Sequence, residues 1–209
     1  SLAASSEAGY ARAIGVLPPE LRDSLYSPEF LRQRGDYRAE QPFEELMRRA
    51  PARSGLDRAQ YADIKFWLPG DILTKVDRTS MAVSLEAREP LLDHRLVEFA
   101  ASLPENLRLR RGEGKWLLKK TMQRYLPDNI LYRQKQGFVT PIAQWFRGPL
   151  AETARAIGSN AALARTGWFD ARAISAMAEA HIAGHSDHSR LLWQLVMLDR
   201  SLSRLGIAA

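Results

Sequence analysis

Cysteine is absent from the 209 residues, which excludes a disulfide-stapled scaffold, a thiolate metal site and a cysteine nucleophile for this chain. No stretch approaches the roughly eighteen consecutive apolar residues of a membrane span. The opening Ser1-Leu-Ala-Ala-Ser-Ser lacks the basic and apolar regions of a secretory signal. A cytoplasmic protein without membrane contact is the expectation. Gly-x-Ser-x-Gly, the nucleophile elbow of serine hydrolases, does not occur. Nor does a P-loop: Gly112-Glu-Gly-Lys115 has a single residue between its glycines and Trp116 after its lysine, where a P-loop needs four residues and a Ser or Thr. Internal repeats, low-complexity tracts and convincing strand patterns are likewise missing.

The chain is long enough to bury a real core, as one domain or a domain with an appendage, and its apolar fraction of 45% is ordinary. The net charge of +6 is unevenly placed. Seven cations, Arg108, Arg110, Arg111, Lys115, Lys119, Lys120 and Arg124, face one acid, Glu113, between 108 and 124. Such a field suits a phosphate-bearing partner, nucleotide or nucleic acid, or is simply a solvated helix face. No nucleic-acid motif accompanies it, so nucleic-acid binding rests on charge and nearby Trp116 and Tyr125 alone.

Periodicity makes the chain predominantly α-helical. Residues 1–56 read as a helical lead-in, with Leu17-Pro-Pro and Ser27-Pro placing proline where a first helical turn tolerates it. Residues 57–148 carry the sharpest patterns and 149–209 form a helical tail. Ala59–Leu68 is expected to be a helix stopped by Pro69-Gly70. Asp71 would cap the next helix, which would run to about Val83 and bury Ile72, Val76, Thr79 and Val83. Glu86 to Pro90 should be extended, because proline pushes its predecessor out of the helical region. Asp93 sits where the cap of a His94–Ser102 helix belongs. Further helices are expected over Lys115–Tyr125, Pro141–Phe146, Leu150–Ile157, Asp170–Ala183 with Gly184 as stop, and Ser189–Leu205 with Leu192, Leu195, Val196 and Leu198 on its apolar face.

Three groups of residues invite a chemical reading. Lys115, in the first turn of its helix, would add an ammonium where free N–H groups already favour an anion, and Lys119 lies one turn on along the same face. Asp77 with Arg78, and Glu86 with Arg88, interrupt apolar positions, so one of the first pair is expected close to burial. A buried charge has to be paired, and an ion-pair network tying the helix to the Glu86–Asp93 turn is the preferred explanation over direct catalysis. His181, His185 and His188 have zinc-like spacings. Gly184 separates the first two, Asp187 alone could complete the shell, and a solvated loop is expected in place of a metal site.

The segment Trp67-Leu-Pro-Gly-Asp71-Ile-Leu-Thr-Lys-Val-Asp77-Arg78-Thr-Ser-Met-Ala-Val-Ser-Leu-Glu86-Ala-Arg88-Glu-Pro90-Leu-Leu-Asp93-His-Arg95 resembles the signature of the synthetase domain of glutamine-dependent asparagine synthetases and related amidotransferases. Gly112-Glu-Gly-Lys115-Trp-Leu-Leu-Lys119 and Arg133-Gln-Lys135-Gln-Gly137-Phe138 are similar to that domain's next two blocks, in order. Leu91 departs from the family's usual Phe.

The resemblance implies the C-terminal helical portion of an α/β, adenine-nucleotide-hydrolase-like (PP-loop ATP pyrophosphatase) domain. It implies that ATP and Mg²⁺ activate aspartate as an acyl-adenylate and that ammonia from glutamine attacks it, with AMP and pyrophosphate leaving. Lys115 matches the family's active-site lysine. Lys119 and Lys135 are expected to face the nucleotide and its phosphates, and Asp77, Arg78, Glu86, Arg88 and Asp93 to support the site without touching substrate.

The family's Ser-Gly-Gly-x-Asp-Ser loop, its acidic Gly-x-Asp-Glu metal segment and its glutaminase cysteine do not occur here. The resemblance therefore implies partners in the remainder of the synthetase domain and in an N-terminal glutaminase domain. No metal ligand is assigned in this chain, no cofactor is expected to be held tightly by it alone, and a homo-oligomer stays open. Two alternatives remain: an adenylate-forming amidotransferase using another carboxylate or amine, and a non-catalytic basic helical module.

Overall fold

The computed structural model describes residues 5–134, 137, 140–159 and 162–206. These are mostly helical, with one two-stranded antiparallel hairpin. They form two compact units, Ser1–Tyr10 with Pro42–Gly137, and Ala11–Gln41 with Phe138–Ala209. The lead-in segment 1–56 is thus divided between them.

The second unit holds the main core. Its organiser is the Ser189–Leu205 helix, whose Leu191, Leu192, Leu195, Val196 and Leu202 are buried because their three- and four-residue spacing gathers them on one stripe. Phe146 and Leu192, both fully buried, pack there with Ile157, Leu163, Ile174 and Ala178. The Ala171–Ile182 helix starts as its sequence dictates, with Asp170 Oδ1 accepting the N–H groups of Arg172 and Ala173. It stops at Gly184, whose φ of 79° is the left-handed conformation glycine adopts at least cost. Residues 24–30 dock on this unit by main-chain bonds: Ser27 N–H donates to Trp168 C=O at 2.9 Å and Asp170 N–H to Leu25 C=O at 2.9 Å. Tyr26 stacks between Phe30 and Phe169, at 4.8 and 5.4 Å.

His181 lies in this core, fully buried, and not in the solvated loop expected of it. Its Nδ1 accepts the His188 N–H at 3.1 Å, which leaves Nε2 to carry the proton and donate to Ala143 C=O, also at 3.1 Å. The ring fastens the start of one helix to another. His185 is exposed.

The first unit is differently built. Phe43, Met47 and Ala62 are buried, with Phe43 meeting Phe66 edge-on at 5.6 Å. Three long-range polar links tie the unit together. Tyr10 Oη donates to Asp63 at 2.8 Å, Arg58 pairs with Glu7 at 2.9 Å, and Arg108 pairs with Asp57 while also donating to Gln60. Burial, with the Asp63 carboxylate beside it, pushes the Tyr10 phenol up to about 12. Main-chain hydrogen bonding and then Arg58 lower Glu7 to about 2.

Two sequence expectations fail in this unit. The helix does not end at Pro69-Gly70: Gly55–Ala62 passes into a π-helical run, Asp63–Leu73, and on into Thr74–Met81. The wider i→i+5 turn moves the proline ring off the carbonyl that would block an α-helix, and Thr74 Oγ1 donates to Pro69 C=O at 2.6 Å. Asp71 therefore caps nothing and lies one turn before Lys75, 3.7 Å away. Nor are Ile72, Val76, Thr79 and Val83 buried; Val83 is 75% exposed. From 63 to 134 no described residue is buried, although Trp67, Met81, Leu85, Leu91 and Phe99 are large and apolar.

Candidate active site

Apart from the three histidines, which belong to the second unit, all the described candidate residues belong to the first unit. They fall on two pieces of structure, a helix-and-turn wall and a hairpin. Lys135 lies outside the described residues.

The wall is formed by the Thr74–Met81 helix and the extended 85–89 segment that returns beside it. The reversal runs through Ser84 at φ 59°, with Leu85 N–H donating to Ser80 C=O at 3.0 Å. Between the two lies a cavity of about 220 Å³ lined by Leu73, Val76, Asp77, Met81, Glu86, Ala87 and Glu89. Asp77 and Glu86 are thus brought together, and Glu89, which sequence reading passed over, joins them.

The expected ion-pair network is not there. Asp77 and Arg78 are exposed and, among the described residues, neither side chain forms an ion pair. Glu86 pairs with its near neighbour Arg88 at 2.9 Å, and Asp93 with Arg95 at 3.0 Å. The charges need no buried partners because the wall's apolar residues are themselves uncovered. Asp93 does cap the His94–Ser102 helix, its Oδ1 accepting Arg95 N–H at 3.0 Å. The Arg95 guanidinium, with this amide, holds the carboxyl below its ordinary range.

The hairpin pairs Leu109 with Gly114 and Arg110 with Glu113. Its two turn residues, Arg111 at φ 53° and Gly112 at φ 80°, take the positive φ values of a type I′ turn, whose twist matches that of paired strands. Gly114 has no positive φ, and open space surrounds the place where its Cβ would be; one flank of the hairpin is bare backbone.

Lys115 follows in the left-handed conformation, φ 60° and ψ 32°, immediately before the Trp116–Met122 helix. It is therefore the residue ahead of the helix and not a member of its first turn. For a non-glycine residue this conformation costs on the order of 1 kcal/mol or more. Its side chain is exposed and, among the described residues, has no ion-pair partner. Lys119 is different: its ammonium is bonded to Glu113 Oε1 at 2.8 Å and lies 5.3 Å from the Tyr132 ring centre. Arg110 stacks on Trp116 at 4.8 Å. Tyr132 had no role in the sequence reading, and Glu113 and Trp116 entered it only as the lone acid of the basic patch and an aromatic neighbour; the alternation of basic and aromatic residues around that acid was the available signal.

Lys115, exposed and without an ion-pair partner among the described residues, thus follows directly on the bare flank of the hairpin. The chain belongs to the asparagine synthase family, whose model matches residues 2–203. It is 39% identical over 142 residues to a putative glutamine-hydrolysing asparagine synthetase of Mycobacterium tuberculosis, covering 67% of this chain and 21% of that protein. It is 33% identical over 144 residues to glutamine-hydrolysing asparagine synthetase 1 of Bacillus subtilis, covering 69% and 22%. Against the Gallus gallus asparagine synthetase the identity is 41% over 83 residues, 36% of this chain and 15% of that one. The chain thus spans about a fifth of the length of the curated relatives it matches. No solved structure matches it. Among the described residues no helix is long and apolar enough to cross a membrane.

Proposed function

We propose that this chain forms one side of the amide-forming site of an ATP-dependent, glutamine-hydrolysing asparagine synthetase. Aspartate, glutamine, ATP and water become asparagine, glutamate, AMP and pyrophosphate. The carboxylate side chain of aspartate attacks the α-phosphorus of ATP and displaces pyrophosphate, giving an acyl-adenylate. Ammonia released from glutamine then attacks the acyl carbon and AMP departs. Lys115 faces the phosphates, and its ammonium opposes the negative charge that builds as each bond breaks. A fixed cation in a water-poor site is worth about 3–4 kcal/mol to such a step.

The observation that carries this reading is Lys115 itself, exposed in a left-handed conformation and without an ion-pair partner among the described residues, at the position that the sequence resemblance equates with the family's active-site lysine. MgATP enters as substrate. Among the described residues no three carboxylates or histidines converge to hold a metal ion, so no step is assigned to one held by this chain.

The uncovered apolar residues of 63–134 support the same reading. They suit packing against the remainder of a nucleotide-binding α/β synthetase domain of the PP-loop type, which in the working enzyme would close over them. Lys135 is assigned to the nucleotide end of the site, and Asp77, Glu86 and Arg88 to its supporting wall. On this reading the 209 residues alone neither hydrolyse glutamine nor make asparagine, since the pyrophosphate loop and a cysteine nucleophile are lacking from them.

In the enzyme containing this chain, Lys115→Ala is expected to abolish asparagine synthesis and leave glutamine hydrolysis largely intact. Synthesis surviving that change would sink the assignment. ATP–pyrophosphate exchange with aspartate set against other carboxylic acids identifies the substrate; exchange supported only by a different acid would place the chain with a sister amidotransferase.

A further inference from the structure

We propose that Glu113 and Lys119 are positioning residues that hold Lys115 in its strained conformation, and that the pair, with the Arg110–Trp116 stack, forms a two-point latch between hairpin and helix. The inference rests on Lys115 being the lysine of the amide-forming site.

The geometry begins with register. Arg110 and Glu113 are direct cross-strand partners, so their side chains leave the hairpin on the same face. Trp116 and Lys119 are three apart on the following helix and share a face as well. The two pairs meet, Arg110 on Trp116 at 4.8 Å and Glu113 with Lys119 at 2.8 Å. Gly114 and Lys115 are the residues between hairpin pair and helix.

Lys119 also reaches Lys115 directly through the main chain, its N–H donating to the Lys115 carbonyl at 3.0 Å. A closed path therefore runs from Glu113 through Lys115 to Lys119 and back through the ion pair. A left-handed non-glycine residue persists where its surroundings over-determine it, and this loop with its second contact at Trp116 supplies the constraint. Tyr132 forms the floor beneath Lys119. Spacing alone suggested that Lys119 is a second phosphate contact; the structure directs its ammonium at Glu113, and among the described residues that of Lys115 has no ion-pair partner.

A half-exposed ion pair contributes little to global stability, so the latch should act on rate and hardly on folding. In the enzyme containing this chain, Glu113→Gln and Lys119→Met should each lower kcat for asparagine formation about ten- to a hundredfold, the scale on which misplacement of a reacting group acts. KM for ATP and the thermal midpoint should stay near the parent values. The swap Glu113→Lys with Lys119→Glu restores the pair and should recover most of the lost kcat. In the 209-residue chain, the main-chain amides of Trp116–Lys119 should exchange faster in Glu113→Gln than in the parent.

Parental kcat in both single variants, with unchanged amide exchange, would overturn the proposal. So would a Lys119→Met enzyme whose KM for ATP rises and which the swap does not recover, the pattern of a direct phosphate contact. Lys115→Ala measured alongside separates the two levels: synthesis retained in it defeats the active-site reading, whereas synthesis abolished in it but normal in Glu113→Gln and Lys119→Met defeats the latch alone.

Discussion

Replacing His181 by leucine tests whether this histidine is a structural pin or one member of a metal triad. The side chain is fully buried and uses both ring nitrogens on main-chain groups, Nδ1 on His188 N–H and Nε2 on Ala143 C=O, each at 3.1 Å. Leucine fills much of the same volume but bonds neither. Two part-buried main-chain groups then lose these partners, at about 1–3 kcal/mol each. Leucine's greater apolarity returns part of this, since it exchanges a polar ring for an aliphatic chain against Phe146, whose ring lies edge-on to His181 at 6.3 Å.

The net expectation is a loss of roughly 2–4 kcal/mol. Urea unfolding followed by tryptophan fluorescence reads it, because Trp145, Trp168 and Trp193 all belong to the same compact unit. Asparagine offers a partial control, keeping one donor and one acceptor on a shorter arm, and should fall between leucine and the parent. A leucine variant as stable as the parent would refute the pin. A parent protein stabilised by added zinc, with the effect gone in the variant, would refute it from the other side.

Gly158→Ala should destabilise the same unit by about 1–3 kcal/mol: a Cβ there would stand 2.4 Å from Ser175 Oγ and 3.1 Å from Ala171 C=O. Ser175→Ala in the same chain should return only part of the loss, because the carbonyl stays; an unchanged thermal midpoint for Gly158→Ala would contradict the packing. Two pH effects follow from the links of the first unit. Glu7 is lowered from 4.5 to about 2, so its contribution to stability is complete above 4.5 and fades as pH falls toward 2; the stability gap between parent and Glu7→Gln should shrink over that interval and be constant above it. Tyr10 is raised from 10.0 to about 12, so its contribution is complete below 10 and is lost as pH rises toward 12. The parent should show a late-titrating tyrosinate absorbance that Tyr10→Phe lacks, and identical titration curves would remove Tyr10 from this role.

Where the sequence could be read, the determinants were local. Asp93 and Asp170 cap the helices they precede because an N-cap needs only a carboxylate and the next two or three amides. Gly184 stops its helix through its own φ. The Ser189–Leu205 stripe is likewise a property of one helix's spacing. The docking of Ser27 on Trp168, by contrast, is main-chain pairing between distant segments and leaves no side-chain pattern to find. His181 was misplaced for a related reason: its partners are two backbone groups, invisible in a residue list.

The failure at Asp77 and Arg78 bears most directly on function. Apolar neighbours at helical spacing suggested burial, and burial would have required paired charges. Periodicity, however, reports only that a helix has an apolar face, not that this chain covers it. Val76 is partly exposed and Met81 54% exposed, so Asp77 and Arg78 are free of the constraint that demanded a network. The same lack of cover leaves Asp77, Glu86 and Glu89 open around a cavity. If, as proposed, the remainder of a synthetase domain packs over the apolar residues between 63 and 134, these carboxylates would lose water together and a requirement for cationic or hydrogen-bonding partners would return. On that reading the partners would come from the covering segment or from substrate, and the wall's charges would be a point of contact with the rest of the enzyme and not a network closed within this chain.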